Sequence, residues 1–135
     1  MSYRFRGRVA LGIAALAAAV VWAADDRAPS ISPQQLEARL ASGQGPLVVD
    51  VRTPQEYEAG HVPGAVNVPY DEVAKRAAEL TGRGELALYC LKGPRARIAE
   101  AALADAGAKD LLHVEGGYSA WEAAGLPVVE GPAPN

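Results

Sequence analysis

The 135-residue sequence holds one cysteine, one methionine, one phenylalanine and two histidines. A lone cysteine, Cys90, cannot close an intramolecular disulfide, so the cysteine content supplies no internal covalent staple. The histidines, His61 and His113, have no second ligand at metal spacing, and no metal is expected. Aromatics make up 6% of the chain, which leaves the core to Val, Leu, Ile and Ala. There is no basic excess either: the formal net charge is −3, which offers a nucleic acid no partner. What is present is half apolar and 21% charged, the composition of a globular chain with room for one domain.

The N-terminus speaks of compartment. Residues 1–8 carry Arg4, Arg6 and Arg8 without an acid, and residues 9–24 are an unbroken run of apolar residues and Gly. That run is short of the roughly 20 residues that cross a bilayer. It ends at Val21-Trp22-Ala23, and the order basic, apolar, small is that of a secretory signal peptide. The expectation is cleavage after Ala23 and export to the periplasm, with no stable membrane association afterwards; an uncleaved inner-membrane anchor is the alternative. No cysteine follows the run, which excludes a lipoprotein anchor, and no Arg-Arg pair marks the twin-arginine route. Residues 1–23 are thus read as signal, 24–30 as linker, 31–130 as the domain and 131–135 as a flexible tail. Once Arg4, Arg6 and Arg8 are removed, the mature domain is more acidic still, and a monomer is expected.

Past the polar stretch ending at Ser30, strand-like and helix-like pieces alternate. Ser32-Pro33-Gln34-Gln35 carries an N-cap, a first-turn proline and a capping-box Gln, with Leu36 and Leu40 on one face and Gly43 as a stop. Leu47-Val48-Val49-Asp50-Val51 is a continuous apolar run of the kind buried in a parallel sheet. Thr53-Pro54-Gln55-Glu56 opens a second short helix that Gly60 ends. Ala65-Val66-Asn67-Val68 is a short strand. Asp71 caps a helix with Val73, Ala77 and Leu80 on one face. Leu86-Ala87-Leu88-Tyr89 is another buried strand, and Ile98, Ala99, Ala102, Leu103 and Ala106 recur at helical spacing up to Gly107. Leu111-Leu112-His113-Val114 is the next strand; Gly116-Gly117 leads into a helix through Trp121, which is read as a packing residue. Such alternation predicts an α/β fold, a parallel sheet with helices on both faces.

Taken alone, Cys90 is open to three readings: a small buried hydrophobe, an intermolecular disulfide partner or a reactive thiol. Its place between a strand and a helix favours the third. Ligands of open α/β sheets gather there, and the amides and partial charge of a helix N-terminus stabilise a thiolate, a persulfide or an oxyanion. Lys92 and Arg95 follow within five residues and Arg97 starts the helix, so the three are expected to draw a small anion toward the sulfur. Gly93 gives the loop its backbone freedom, while Pro94 has no N–H to donate but suits the first helical turn.

Val48-Val49-Asp50-Val51-Arg52, Glu56-Tyr57 and Gly60-His61-Val62-Pro63-Gly64-Ala65-Val66-Asn67-Val68-Pro69 together resemble the N-terminal signature of rhodanese domains. Glu115-Gly116-Gly117-Tyr118-Ser119-Ala120-Trp121 with Ala124-Gly125-Leu126-Pro127-Val128 is similar to their C-terminal signature, and Cys90, Gly93 and Arg95 match the family's Cys-x-x-Gly-x-Arg loop. The resemblance spans residues 31–129, and with the export signal it is to the small periplasmic, phage-shock kind. It implies a three-layer fold around a five-stranded parallel sheet, and a sulfurtransferase that carries sulfur from thiosulfate to cyanide or a thiol as a transient persulfide on Cys90, with no cofactor. Backbone amides of Leu91, Lys92, Gly93, Arg95 and Ala96 would hold that persulfide; Asp50, Arg52 and His61 would be structural supports. Lys92 tilts the donor toward thiosulfate and away from mercaptopyruvate. Ala96 replaces the Ser or Thr of many single-domain members, and Leu91 and Pro94 are less typical, which bears on turnover. Two alternatives stand beside this reading. One is a low-turnover sulfur carrier or protein-binding module. The other is a Cdc25-like phosphatase or arsenate reductase, which needs five residues between Cys and Arg where this chain has the four from Leu91 to Pro94.

Overall fold

The computed structural model describes residues 26–134; the signal-peptide reading of residues 1–23 lies outside them. Five strands form one parallel sheet in the order β1-β5-β4-β2-β3, with β1 Ser30–Ile31, β2 Leu47–Asp50, β3 Val66–Asn67, β4 Leu86–Tyr89 and β5 Leu111–Val114. Strand β4 is therefore central, with β2 and β5 on its flanks. The two-residue period of a strand sends successive side chains to opposite layers. Val49, Leu86, Leu88 and Cys90 pack on one face, against α4 (Pro94–Asp105), α3 (Val73–Arg76) and the 3-10 turn that follows it. Val48, Ala87 and Tyr89 pack on the other, against α1 (Pro33–Ala41), α2 (Pro54–Ala59) and α5 (Gly117–Ala123). The result is a three-layer α/β fold: the parallel sheet with helices on both faces is what the strand and helix pattern predicts, and its five strands are what the resemblance implies.

Helix starts follow the sequence closely. Ser32 and Thr53 each close a complete capping box, and Pro33, Pro54 and Pro94 all stand in the first turn of a helix. Four details differ from expectation. Ser30 is not linker: it pairs with His113, because the exposed edge of β5 takes up a strand just after the irregular residues 26–29. Helix α3 spans only Val73–Arg76 and tightens into a 3-10 turn at Ala77–Glu79; no side chain caps its start, and Asp71 is not the N-cap. Val73, Ala77 and Leu80 still reach the core. In α4 the buried face is Ala96, Ala99, Glu100 and Leu103, whereas Ile98 points outward and is 55% exposed. Finally, the tail expected from residue 131 is held at its first residue: Gly131 N–H donates to the Glu58 carbonyl, just beyond Val129, which exchanges backbone hydrogen bonds of 2.9 and 3.0 Å with His61 inside the domain. No helix among the described residues is long and apolar enough to cross a membrane.

Candidate active site

Cys90 follows the last residue of β4 and precedes α4, with its side chain turned to the α4 face and 1% exposed. The loop bends back over it at once. Gly93 adopts φ 150° and ψ −40°, a conformation that side chains resist, and this turn aims its N–H at Cys90 Sγ, 3.0 Å away. Pro94 then starts α4 without needing a donor, so the axis of a 12-residue helix begins beside the sulfur. Ala96 is fully buried beneath the loop. Leu91 (40% exposed) and Lys92 lie on the outer side.

A second helix holds the loop from behind. The N–H groups of Tyr118 and Ser119, at the start of α5, donate to the carbonyls of Cys90 (2.8 Å) and Leu91 (3.0 Å). Only glycine permits that approach: a Cβ on Gly117 would stand 2.5 Å from the Cys90 oxygen and 2.7 Å from that of Leu91, and its φ is +61°. The Gly116-Gly117 pair thus brings the start of α5 against the backbone carbonyls of the sulfur loop. This role is not visible in the sequence as a spacing rule, because the partners are 28 residues apart and meet only through β4–β5 pairing.

The three loop cations do not act together as expected. Arg95 is taken up by Glu56 in a two-pronged ion pair, 2.7 Å to Oε1 and 3.0 Å to Oε2. The Arg95 bond, followed by the cap contact with Thr53, holds the Glu56 carboxyl down at about 2 against the opposing effect of burial. Arg97 turns away from the loop, donating to the Ala28 carbonyl and to Glu100, because its position on α4 faces the chain leading into β1. Lys92 is exposed.

Under the sheet's C-terminal edge lies a buried polar cluster. Asp50 accepts from the Arg52 backbone and from its guanidinium at 2.7–3.2 Å, and Arg52 donates onward to the Gly60 carbonyl at 2.7 Å. Burial acts to lower the Arg52 pKa, but the bonds and charge of Asp50 outweigh it and the net shift is upward. Its guanidinium also sits over the rings of Tyr118 and Tyr89, with 4.1 Å and 5.5 Å to the centroids. Tyr89, its pKa pushed up by burial and by Asp50, donates to Asp50 Oδ2 and accepts from Val62 N–H. His61 stacks on Tyr57 and places Nδ1 2.7 Å from the Tyr57 carbonyl, inside the α2–β3 turn and away from Cys90's loop contacts. Trp121 is fully buried and donates to the Pro127 carbonyl. Among the described residues no group of three His, Cys, Asp or Glu side chains stands ready to hold a metal ion.

One buried pair had no sequence signal. Glu100 of α4 and His113 of β5, 13 residues apart, meet at 2.6 Å between Oε1 and Nδ1. In the sequence His113 is only a strand residue, since nothing local shows that α4 brings an acid onto it.

Residues 32–124 match the family model for the rhodanese-like domain. The HTH-type transcriptional regulator Rv0324 of Mycobacterium tuberculosis is 41% identical over 125 residues, which are 88% of this chain and 51% of that protein. This chain thus spans about half of Rv0324's length. A sulfurtransferase of Allochromatium vinosum is 35% identical over 99 residues, 73% of this chain and 92% of its own. A solved structure of the thiosulfate sulfurtransferase of Pseudomonas aeruginosa superposes with a TM-score of 0.70 at 26% identity, covering 78% of this chain and 21% of that one. A cysteine at the end of the central strand, a short loop folded over its sulfur and a match across all the elements from α1 to α5 lead to one conclusion: the chain belongs to the rhodanese family of sulfurtransferases and sulfur carriers.

Proposed function

We propose that this protein is an exported thiosulfate sulfurtransferase that carries sulfane sulfur as a persulfide on Cys90. The observation that carries the reading is the loop itself: a sulfur placed at the head of α4 and met at 3.0 Å by the Gly93 N–H. In the first half-reaction the Cys90 thiolate attacks the outer sulfur of thiosulfate. The Sγ–S bond forms, the bond to the sulfonate sulfur breaks, and sulfite leaves with the electron pair. In the second, cyanide or a thiolate attacks the terminal persulfide sulfur, and the Cys90 thiolate is regenerated as leaving group. Two displacements replace one, and neither needs a cofactor or a separate base once the thiolate exists. Loop amides at Leu91, Lys92, Gly93, Arg95 and Ala96 supply dipoles for the terminal sulfur, and Lys92 supplies the exposed positive charge that meets thiosulfate. The ring from Cys90 to Arg95 suits one sulfur atom better than a tetrahedral phosphate.

Intact mass after incubation with thiosulfate tests the reading. Wild type gains one sulfur atom and Cys90→Ser gains none; a wild type that stays unmodified overturns the persulfide. A parallel cyanide assay separates turnover from loading: sulfur that loads but leaves slowly identifies a carrier for a protein acceptor. The mature N-terminus of protein recovered from the periplasm, expected at Ala24, tests export.

A further inference from the structure

Two helices of this chain open with a complete capping box, and they close it with different residues: Gln35 in α1 and Glu56 in α2. Either side chain can reach back to the cap N–H, so the cap itself does not require the charge of Glu56. That charge has another partner. Both carboxylate oxygens take a nitrogen of Arg95, at 2.7 and 3.0 Å, while Oε1 also accepts from the Thr53 N–H and hydroxyl at 3.3 and 3.2 Å. The helix that presents Glu56 is itself fixed. Val51 N–H donates to the Tyr89 carbonyl at 3.0 Å, which sets the chain entering α2 beside the end of β4, and the buried Tyr57 donates to the Ala65 carbonyl at 2.6 Å.

Arg95 is the second residue of α4 and ends the loop that begins at Cys90. A cation gains nothing from the dipole at a helix start, so its place there calls for a local anion. The Arg95 pKa is raised first by the bond to Glu56 and, against burial, by the charges of Glu56 and then of Cys90, so the guanidinium lies within the field of the sulfur. Glu56, held at about 2 chiefly by the Arg95 bond, is an anion throughout the neutral range. Arg97 is paired in turn with Glu100. Lys92 is exposed and, among the described residues, enters no ion pair.

We propose that Glu56 is a specificity-determining residue for the sulfur loop: by pairing with Arg95 it leaves Lys92 as the one uncompensated cation that an anionic sulfur donor meets. The loop then presents one positive charge instead of two, and it discriminates less sharply between charged and neutral donors. The inference rests on the reading of Cys90 as the sulfur carrier, but its test does not depend on sulfur transfer.

The test compares Cys90 alkylation by iodoacetate, an anion, with that by iodoacetamide, its neutral counterpart. Both attack the same thiolate, so the ratio of their rates reports the charge met on approach and not the thiol's ionisation. Glu56→Gln keeps a residue able to close the cap and removes only the charge. Its ratio is expected to rise about threefold over wild type at about 0.01 M salt, a modest gain because the pair is partly exposed, and to return toward wild type at about 1 M. Lys92→Gln is expected to lower the ratio by a similar factor. The double variant Glu56→Gln with Arg95→Gln, which removes both charges of the pair, is expected to match wild type. Thermal melts report folding separately, and if Glu56→Gln alone does not fold, the double variant decides: a ratio below wild type would show that Arg95 acts as a free cation and would overturn the proposal. Equal ratios in wild type and Glu56→Gln at low salt, or an unchanged ratio in Lys92→Gln, overturn it as well, whether or not thiosulfate loads sulfur. A ratio that rises in Glu56→Gln while thiosulfate loads no sulfur keeps the role of Glu56 and removes the carrier reading. A Cys90 that neither reagent reaches removes both.

Discussion

At the scale of single residues, the loop's charge is decided by pairing more than by count. Arg95 looks like a free cation beside a reactive sulfur, but Glu56 takes both of its outer nitrogens, and that tie joins α2 to the start of α4. The pairing has a pH signature. With its folded value near 2 against an ordinary 4.5, Glu56 contributes stability that is fully present above about pH 4.5 and is lost as pH falls through 2. Melting temperatures followed from pH 5 to pH 2 are expected to fall less steeply in Glu56→Gln than in wild type, although the variant starts lower; equal slopes would remove this contribution. The side chains are about a third exposed, so solvent screens the pair and the effect is modest.

At the scale of elements, the site is a junction of two helix N-termini on one strand end. Gly117 is the residue on which the junction depends, because the atoms facing its missing Cβ are backbone carbonyls that cannot swing aside. Gly117→Ala combines left-handed strain with overpacking and is expected to cost about 2–4 kcal/mol. Gly107→Ala is the control: its φ is also positive, at +97°, but nothing lies within 4 Å, so only strain of about 1 kcal/mol is expected. Urea unfolding measures both, and sulfur loading should drop in the first alone. Equal costs would mean that the α5 contact with Cys90 and Leu91 carries no weight.

At the scale of the whole molecule, the buried cluster around Asp50 and Arg52 ties the C-terminal edge of the sheet together. It spans β2, β4, the turn after α2 and the start of α5, and Asn67 of β3 joins by donating to the Asp50 and Arg52 carbonyls. Among the described residues no buried side-chain polar atom lacks a partner, so removing one member strands another. Asp50→Ala leaves the Arg52 guanidinium buried without its anion and is expected to destabilise by about 3–5 kcal/mol in urea unfolding. A loss under 1 kcal/mol would show that Arg52 escapes to water and that the cluster is not a structural tie.

Local chemistry was enough for the sequence to determine the class of fold, the starts of α1, α2 and α4 and the position of the sulfur. Capping boxes at Ser32 and Thr53, prolines at 33, 54 and 94 and four-residue apolar strands act over a few neighbours, and such signals survive in a linear reading. Tertiary structure decided what no local rule contains: the strand order that centres β4, the pairing of Ser30 at the sheet edge, the capture of Arg95 by Glu56, and the turn of Arg97 away from the loop. It also decided that Glu100 and His113, far apart on the chain, share a face with Cys90. Each of these depends on which elements are brought side by side, and burial of apolar faces sets that arrangement.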